Sequence, residues 1–303
     1  MPFEIEQKLV VAVASSALFD LGEADGVYVG RGEDAYRAYQ REHENDILDP
    51  GVAFAFIRRL LLFNRSADDS PVEVILLSRN DPDTGLRVFN SIEAHGLDIT
   101  RAAFLNGSAP FRYIPGFNAS IFLSADARNV EEAIMAGYPA GLVLDSVIND
   151  DADDLELRVA FDFDGVVADD AAEQVFQAQG IEAFHRSETE QVNMPHGAGP
   201  LQELIVKIAR LQELEKARAA SARGYERRLK VAIITSRNAP SHKRVVTSLR
   251  EWGITVDQTF FLGGMDKSRI LKIFRPHIFF DDQQLHLDGA VEVAPCVHVP
   301  VGR

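Results

Sequence analysis

Six short apolar runs punctuate the chain, at 9–14, 72–77, 119–123, 157–161, 230–234 and 276–280. Most are rich in Val, Ile or Phe and none exceeds strand length, so each predicts a buried β-strand. Segments of helical period lie between them. From Gly85 to His95 the apolar residues Leu86, Phe89 and Ile92 recur every third position, and Gly96 suits the left-handed residue that closes a helix. From Ser241 to Trp252 the stripe is Val245, Val246, Leu249 and Trp252, with Ser241 as the expected N-cap and Gly253 as the stop. Strands alternating with such helices predict a mainly parallel sheet covered on both faces.

The same pattern occurs twice. VEVILLSRN at Val72 parallels LKVAIITSRN at Leu229, and HGLDITRAAFLNG at His95 parallels EWGITVDQTFFLGG at Glu251. NASIFLSAD at Asn118 parallels RPHIFFDDQ at Arg275, and VAVASSALFDL at Val11 sits where VAFDFDGVVAD does at Val159. The matches are in order and nearly constant in offset, which predicts two copies of one α/β unit. The acidic stretch NDDADDLE, 149–156, reads as the linker between a unit at 1–148 and a unit at 149–303.

Composition narrows the function classes. Lys plus Arg number 31 against 46 Asp plus Glu, a net charge of −15, so the chain lacks the basic balance of a nucleic-acid binder. The single cysteine, Cys296, excludes an intrachain disulfide and a thiolate metal cage. The N-terminal apolar run lacks a basic flank, and no apolar stretch reaches membrane-spanning length. The expectation is a cytoplasmic protein with a small-molecule partner, no nucleic acid and no membrane; a homo-oligomer stays open.

The chemistry concentrates in the second copy. In FDFDGVVAD, Asp162 and Asp164 follow an apolar strand at i and i+2, and Gly165 lets the chain turn away sharply. VAIITS ends a strand in Thr235 and Ser236, hydroxyls that can hold a phosphate beside a helix N-terminus. FLGGMDKS offers Lys267 as a point charge for phosphate and carboxylate. IFFDDQ ends a strand in Asp281 and Asp282, hard oxygen ligands suited to Mg²⁺. Strand C-termini share one edge of a parallel sheet, where ligands bind.

This order of DxD, hydroxyl, lysine and DD resembles the haloacid dehalogenase-like phosphatases. GLDITRAAF, LSADARNVEEAI, FDFDGVVADDAAE, SRNAP, FFLGGMDK and IFFDDQ together resemble the cytosolic 5′-nucleotidase I family over most of the chain. The resemblance implies two Rossmann-like units, the second catalytic, and Mg²⁺-dependent hydrolysis of nucleoside 5′-monophosphates through an aspartyl-phosphate. It makes Asp162 the nucleophile, Asp164 the general acid/base, Thr235 a phosphate holder and Lys267 the support of the aspartyl-phosphate. Asp281 ligates Mg²⁺ with Asp282 in support, and Asp162 and Asp164 complete the metal set. Ser236, Arg237 and Asn238 fall beside the phosphate, where Arg237 can equally anchor a neighbouring carboxylate. A phosphatase for another small phosphate, such as a sugar phosphate, and a nucleotide-binding regulatory protein stand as alternatives.

The first copy has Ala14 opposite Asp162, Ser16 opposite Asp164, Ser124 and Ala125 opposite Asp281 and Asp282, and Pro110 opposite Lys267. Only the Ser-Arg-Asn tip recurs, as Ser78, Arg79 and Asn80, so this copy reads as a degenerate, non-catalytic unit. The insertion at about 169–229 carries helical patterning (Leu201, Leu204, Ile208, Leu211) and reads as a helical cap over the site. Its loop NMPHGAGP, 193–200, is the expected base-facing segment, with His196 as a nucleotide contact.

Overall fold

The computed structural model describes residues 4–66, 70–146, 148 and 150–301. The chain divides into two compact units, Met1–Val143 and Leu144–Arg303. The start of the acidic stretch, Asn149, lies outside the described residues. Farther along that stretch, Asp154 and Glu156 pair with Arg158 at 2.6 and 2.9 Å.

In the first unit the strands are β1 (Leu9–Val13), β2 (Val72–Ser78), β3 (Arg101–Phe104), β4 (Ile121–Ser124) and β5 (Ala140–Val143). Its helices are α1 (Ser15–Leu18), α2 (Gly22–Arg31), α3 (Glu33–Glu42), α4 (Phe54–Leu61), α5 (Leu86–Ala94) and α6 (Ala127–Met135). All strand pairs are parallel and the order is β3-β2-β1-β4-β5. Every residue of β1 and β2 is buried, as expected of a strand covered on both faces.

The second unit has β6 (Leu157–Phe161), β7 (Leu229–Thr235), β8 (Gln258–Phe261), β9 (Ile278–Asp281) and β10 (Cys296–His298). Its helices are α7 (Ala171–Glu190), α8 (Gln202–Ser221), α9 (His242–Glu251), α10 (Ser268–Phe274) and α11 (Gln284–Ala290). Its parallel order, β10-β9-β6-β7-β8, repeats that of the first unit. The order reverses between β6 and β9, the place where an open parallel sheet leaves a crevice at its strand C-termini.

The repeat extends to helix ends. Gly96 and Gly253 both take φ +65°, and Leu97 N and Ile254 N reach back to Ile92 O and Leu249 O at 3.0 and 2.8 Å. Ser241 does stand at the N-cap position of α9, but it makes no capping bond: its backbone is already helical, and its hydroxyl donates to Asn238 O at 2.7 Å. The alignment of the Ser-Arg-Asn tips also shifts by one residue. Val11 pairs with Val74, and its counterpart Val159 pairs with Val231, which sets Ser78 opposite Thr235. The loop bonds follow suit: Gly107 N bonds Arg79 O, and Gly264 N bonds Ser236 O. Arg79 therefore matches Ser236, not Arg237, because backbone pairing fixes register where a three-letter match does not.

α7 and α8 lie in the 169–229 insertion. α7 is broken at Gly180, whose φ is +80°. In α8, buried Glu215 accepts the backbone N–H of Arg228 and of Leu229, both at 2.9 Å, and so fixes the start of β7. Among the described residues no helix is long and apolar enough to cross a membrane.

Candidate active site

Three strand ends of the second unit supply the site. β6 runs out at Phe161, and Asp162 N still donates to Phe280 O at 2.8 Å, which holds the Asp162 backbone beside β9. β9 ends at Asp281, which is fully buried. Lys267 precedes α10, is 1% exposed, and places its ammonium 2.9 Å from Asp162 Oδ1 and 2.7 Å from Asp281 Oδ2. The chain leaves β6 through Gly165 at φ +72°, where a Cβ would stand 2.4 Å from Asp282 Oδ2. Only glycine meets both conditions.

Charge is unbalanced here. Asp162, Asp281 and half-buried Asp282 crowd about a single ammonium. Burial pushes Asp162 up to about 7; Lys267 pulls against that rise, while Asp281 and Asp164 add to it. Burial likewise pushes Asp282 up to about 8, with Asp162 and Asp281 adding to the rise. Asp281 goes the other way: burial opposes its charge, but the His286 hydrogen bond and Lys267 hold it below the usual carboxylate range. Lys267 is raised in spite of burial because two carboxylates face it.

Two features near Lys267 could serve a further cation. Asp282 Oδ1 is buried with no hydrogen-bond partner. Asp162, Asp281 and His286 each present a ligand atom, all within 4.8 Å of one another. Sequence reasoning missed His286, which stands five residues after Asp281 on α11. Its Nδ1 lies 3.2 Å from Asp281 Oδ1 and its Nε2 3.5 Å from Ser236 Oγ. A histidine one turn into the helix after the DD strand was the available signal.

The hydroxyl tip is in place. Thr235 is buried at the end of β7, and its Oγ1 accepts the Arg237 N–H at 3.2 Å. Ser236 and Asn238 are exposed beside it. Arg237 is buried and turned elsewhere: its Nε and Nη2 donate to Asp164 Oδ2 and Oδ1 at 2.7 and 2.6 Å, and its Nη1 donates to Glu188. His196 is buried in the same network, with Nδ1 2.8 Å from Ser248 Oγ and Nε2 3.1 Å from Glu188 Oε2. Glu188, another residue the sequence did not single out, also receives Arg244 at 2.7 Å. Burial opposes its charge, but the His196 hydrogen bond and Arg237 hold its carboxyl down at about 2.

The segment around His196 is stitched to the loop that follows the aspartate pair. Asp169 N donates to Gly197 O at 3.0 Å, Gly199 N to Val167 O at 3.0 Å and Leu201 N to Val166 O at 2.9 Å. Gly199 is needed for this approach, since a Cβ there would lie 2.4 Å from Ala168 O.

At the equivalent strand ends of the first unit, serine hydroxyls are found. Ser15 Oγ and Ser78 Oγ are 3.1 Å apart, and Ser124 Oγ accepts Asp126 N at 3.1 Å. Arg79 is spent on Asn129, Glu132 and Gly107 O.

The sequence profile of the 5′-nucleotidase family matches residues 1–303. The chain belongs to that family. It is 34% identical over 299 residues to human cytosolic 5′-nucleotidase 1B, a match covering 95% of this chain and 48% of that protein. The chain thus spans about half the length of this relative, and the match includes both units.

Proposed function

We propose that the chain is a Mg²⁺-dependent 5′-nucleotidase that hydrolyses nucleoside 5′-monophosphates to nucleoside and phosphate through an aspartyl-phosphate. On this reading both units are Rossmann-like and of the haloacid dehalogenase type. The second is catalytic, the first is degenerate, and α7 and α8 form a cap. The observation that carries the reading is the buried cluster of Asp162, Asp281, Asp282 and Lys267 at the strand C-termini, in a member of the 5′-nucleotidase family.

Phosphate-monoester hydrolysis is among the slowest uncatalysed reactions, and a carboxylate nucleophile divides it into two easier steps. An Asp162 oxygen attacks phosphorus as the bond to the 5′ oxygen breaks. Asp164 gives the departing oxygen its proton, then takes one from the water that releases phosphate from Asp162. Lys267 neutralises Asp162 beside the incoming dianion, and Thr235 and Ser236 donate to the phosphate. The donor chemistry fits a divalent cation: three carboxylates face one ammonium, and Asp282 Oδ1 is without a partner. Asp162, Asp281 and His286 would hold it, with Asp282 in support; the Asp164 carboxylate, expected from the sequence to join them, is turned onto Arg237 instead. When bound, Mg²⁺ shields the phosphate charge from the carboxylates.

Phosphate release should be measured over a panel of nucleoside monophosphates and sugar phosphates, with Mg²⁺ and with EDTA. Mg²⁺-dependent release from the nucleotides is expected. Preferential release from sugar phosphates, or full activity in EDTA, would contradict the reading.

A further inference from the structure

Glu188 reaches the site from α7, in the insertion, and is 2% exposed. A buried carboxylate needs partners, and this one has Arg237 and His196 on Oε2 and Arg244 on Oε1. Arg237 is engaged all round. One edge forks onto both oxygens of Asp164, Nη1 meets Glu188, and Nη2 also lies 3.0 Å from His196 Nε2. Its Cζ lies over the rings of Phe163 and Phe184, 5.5 and 5.2 Å from their centres. Such a guanidinium has no edge left for phosphate. Its planar fork can instead fix the plane of a carboxylate, which a point charge cannot do. Asp164 needs that support, since its side chain is 13% exposed against 2% for Arg237 and 1% for Glu188.

We propose that Glu188 is a positioning residue for Asp164: by holding Arg237 against the two aromatic rings, it fixes the guanidinium that orients the Asp164 carboxyl toward the leaving oxygen. The inference rests on the two-step reaction proposed above and concerns its first step. There Asp162 bonds to phosphorus and the bond from phosphorus to the 5′ oxygen breaks, while Asp164, protonated on one oxygen and held by Arg237 through the other, passes that proton to the 5′ oxygen. Without Glu188, Arg237 keeps Asp164 on one edge but loses its buried acid on the other, and Arg244 becomes a second cation beside it. The fork is then free to tilt, and Asp164 with it. Arg237, on this account, serves the reaction through Asp164 and not by touching substrate.

A loss of proton delivery differs from a general loss of structure in its dependence on the leaving group. A nucleoside 5′-monophosphate releases an alkoxide that needs a proton. Its analogue with sulfur in place of the bridging 5′ oxygen releases a thiolate that does not, while keeping the same base, ribose and phosphate. Glu188→Gln should lower kcat/KM on the oxygen substrate by about 10²-fold, the low end of what a positioned general acid contributes, with KM little changed. On the sulfur analogue the loss should stay within about five-fold, because proton transfer then contributes little to the barrier. Arg237→Lys, which keeps the charge and removes the fork, should show the same split and serves if Glu188→Gln does not fold. An equal loss on both substrates, or no loss on either, would overturn the positioning role while leaving the 5′-nucleotidase reading standing. A wild-type chain that cleaves neither substrate would overturn both.

Discussion

Replacing Lys267 with Met tests how far the site depends on one buried charge. The ammonium lies 2.9 and 2.7 Å from two carboxylates and is 1% exposed. At an effective dielectric of about 20, each contact at such a distance amounts to roughly 6 kcal/mol of attraction. Burying the ammonium costs several kcal/mol in the other direction. Methionine fills a similar volume, so packing against Phe279 changes little, but Asp162, Asp281 and Asp282 are then left facing one another. Breaking a buried pair by removing one partner costs about 3–5 kcal/mol, and Lys267→Met should fall in that range at pH 7.5. Urea unfolding followed by the fluorescence of the sole tryptophan measures this in the right unit, because Trp252 stacks on Phe163 at 6.3 Å, next to the aspartate pair. Added Mg²⁺ should restore part of the loss; a ligand at about 100 times its Kd stabilises by about 2.7 kcal/mol. A loss under about 1 kcal/mol, or no response to Mg²⁺, would refute the charge argument.

Three further outcomes follow from the same geometry. Glu188 is held at about 2 against an ordinary 4.5, so it contributes roughly 3 kcal/mol that is present above pH 4.5 and lost as the pH falls toward 2; the stability gap between wild type and Glu188→Gln should therefore narrow in urea titrations from pH 6 to pH 3, and a constant gap would contradict it. Gly165→Ala forces a strained φ and a clash with Asp282, so unfolding should show a loss of about 1–3 kcal/mol, with phosphate release lost as well. Ser16→Ala, in the first unit opposite Asp164 of the second, should leave turnover within a few-fold of wild type; an inactive variant would mean that the first unit takes part in the chemistry.

Much of the fold was legible because its strands are apolar on both faces. Leu9–Val13, Val72–Ser78 and Leu229–Thr235 are hydrophobic runs of strand length, broken only by Glu73 and Lys230 near their starts and by Ser78 and Thr235 at their ends, which is how a strand buried between helices reads. β3, β5, β8 and β10 were not among the six runs: β3 and β8 stay partly exposed and begin on polar Arg101 and Gln258, β5 is Ala-Gly-Leu-Val, and β10 has only three residues. The aspartate pair, Thr235, Lys267 and Asp281 were legible because each stands at or next to a strand or helix end with an unusual residue type. Glu188 was not, since one Glu on a long helix resembles any solvated residue until the fold buries it against Arg237. For the same reason the sequence makes His196 a nucleotide contact and leaves Arg237 open between a phosphate neighbour and a carboxylate anchor; the structure places both in a network around Glu188, with Arg237 anchoring Asp164. Sequence spacing locates a residue near a site but does not say which way its side chain turns.

The account stands most directly on Asp162 as the nucleophile. The decisive measurement is inorganic phosphate released from a nucleoside 5′-monophosphate by the purified chain and by Asp162→Asn, each shown to be folded by its tryptophan emission, with Mg²⁺ present. The amide cannot attack phosphorus, so the variant should lose turnover by several decades. Comparable release by the two proteins, or none from the wild type, would contradict it.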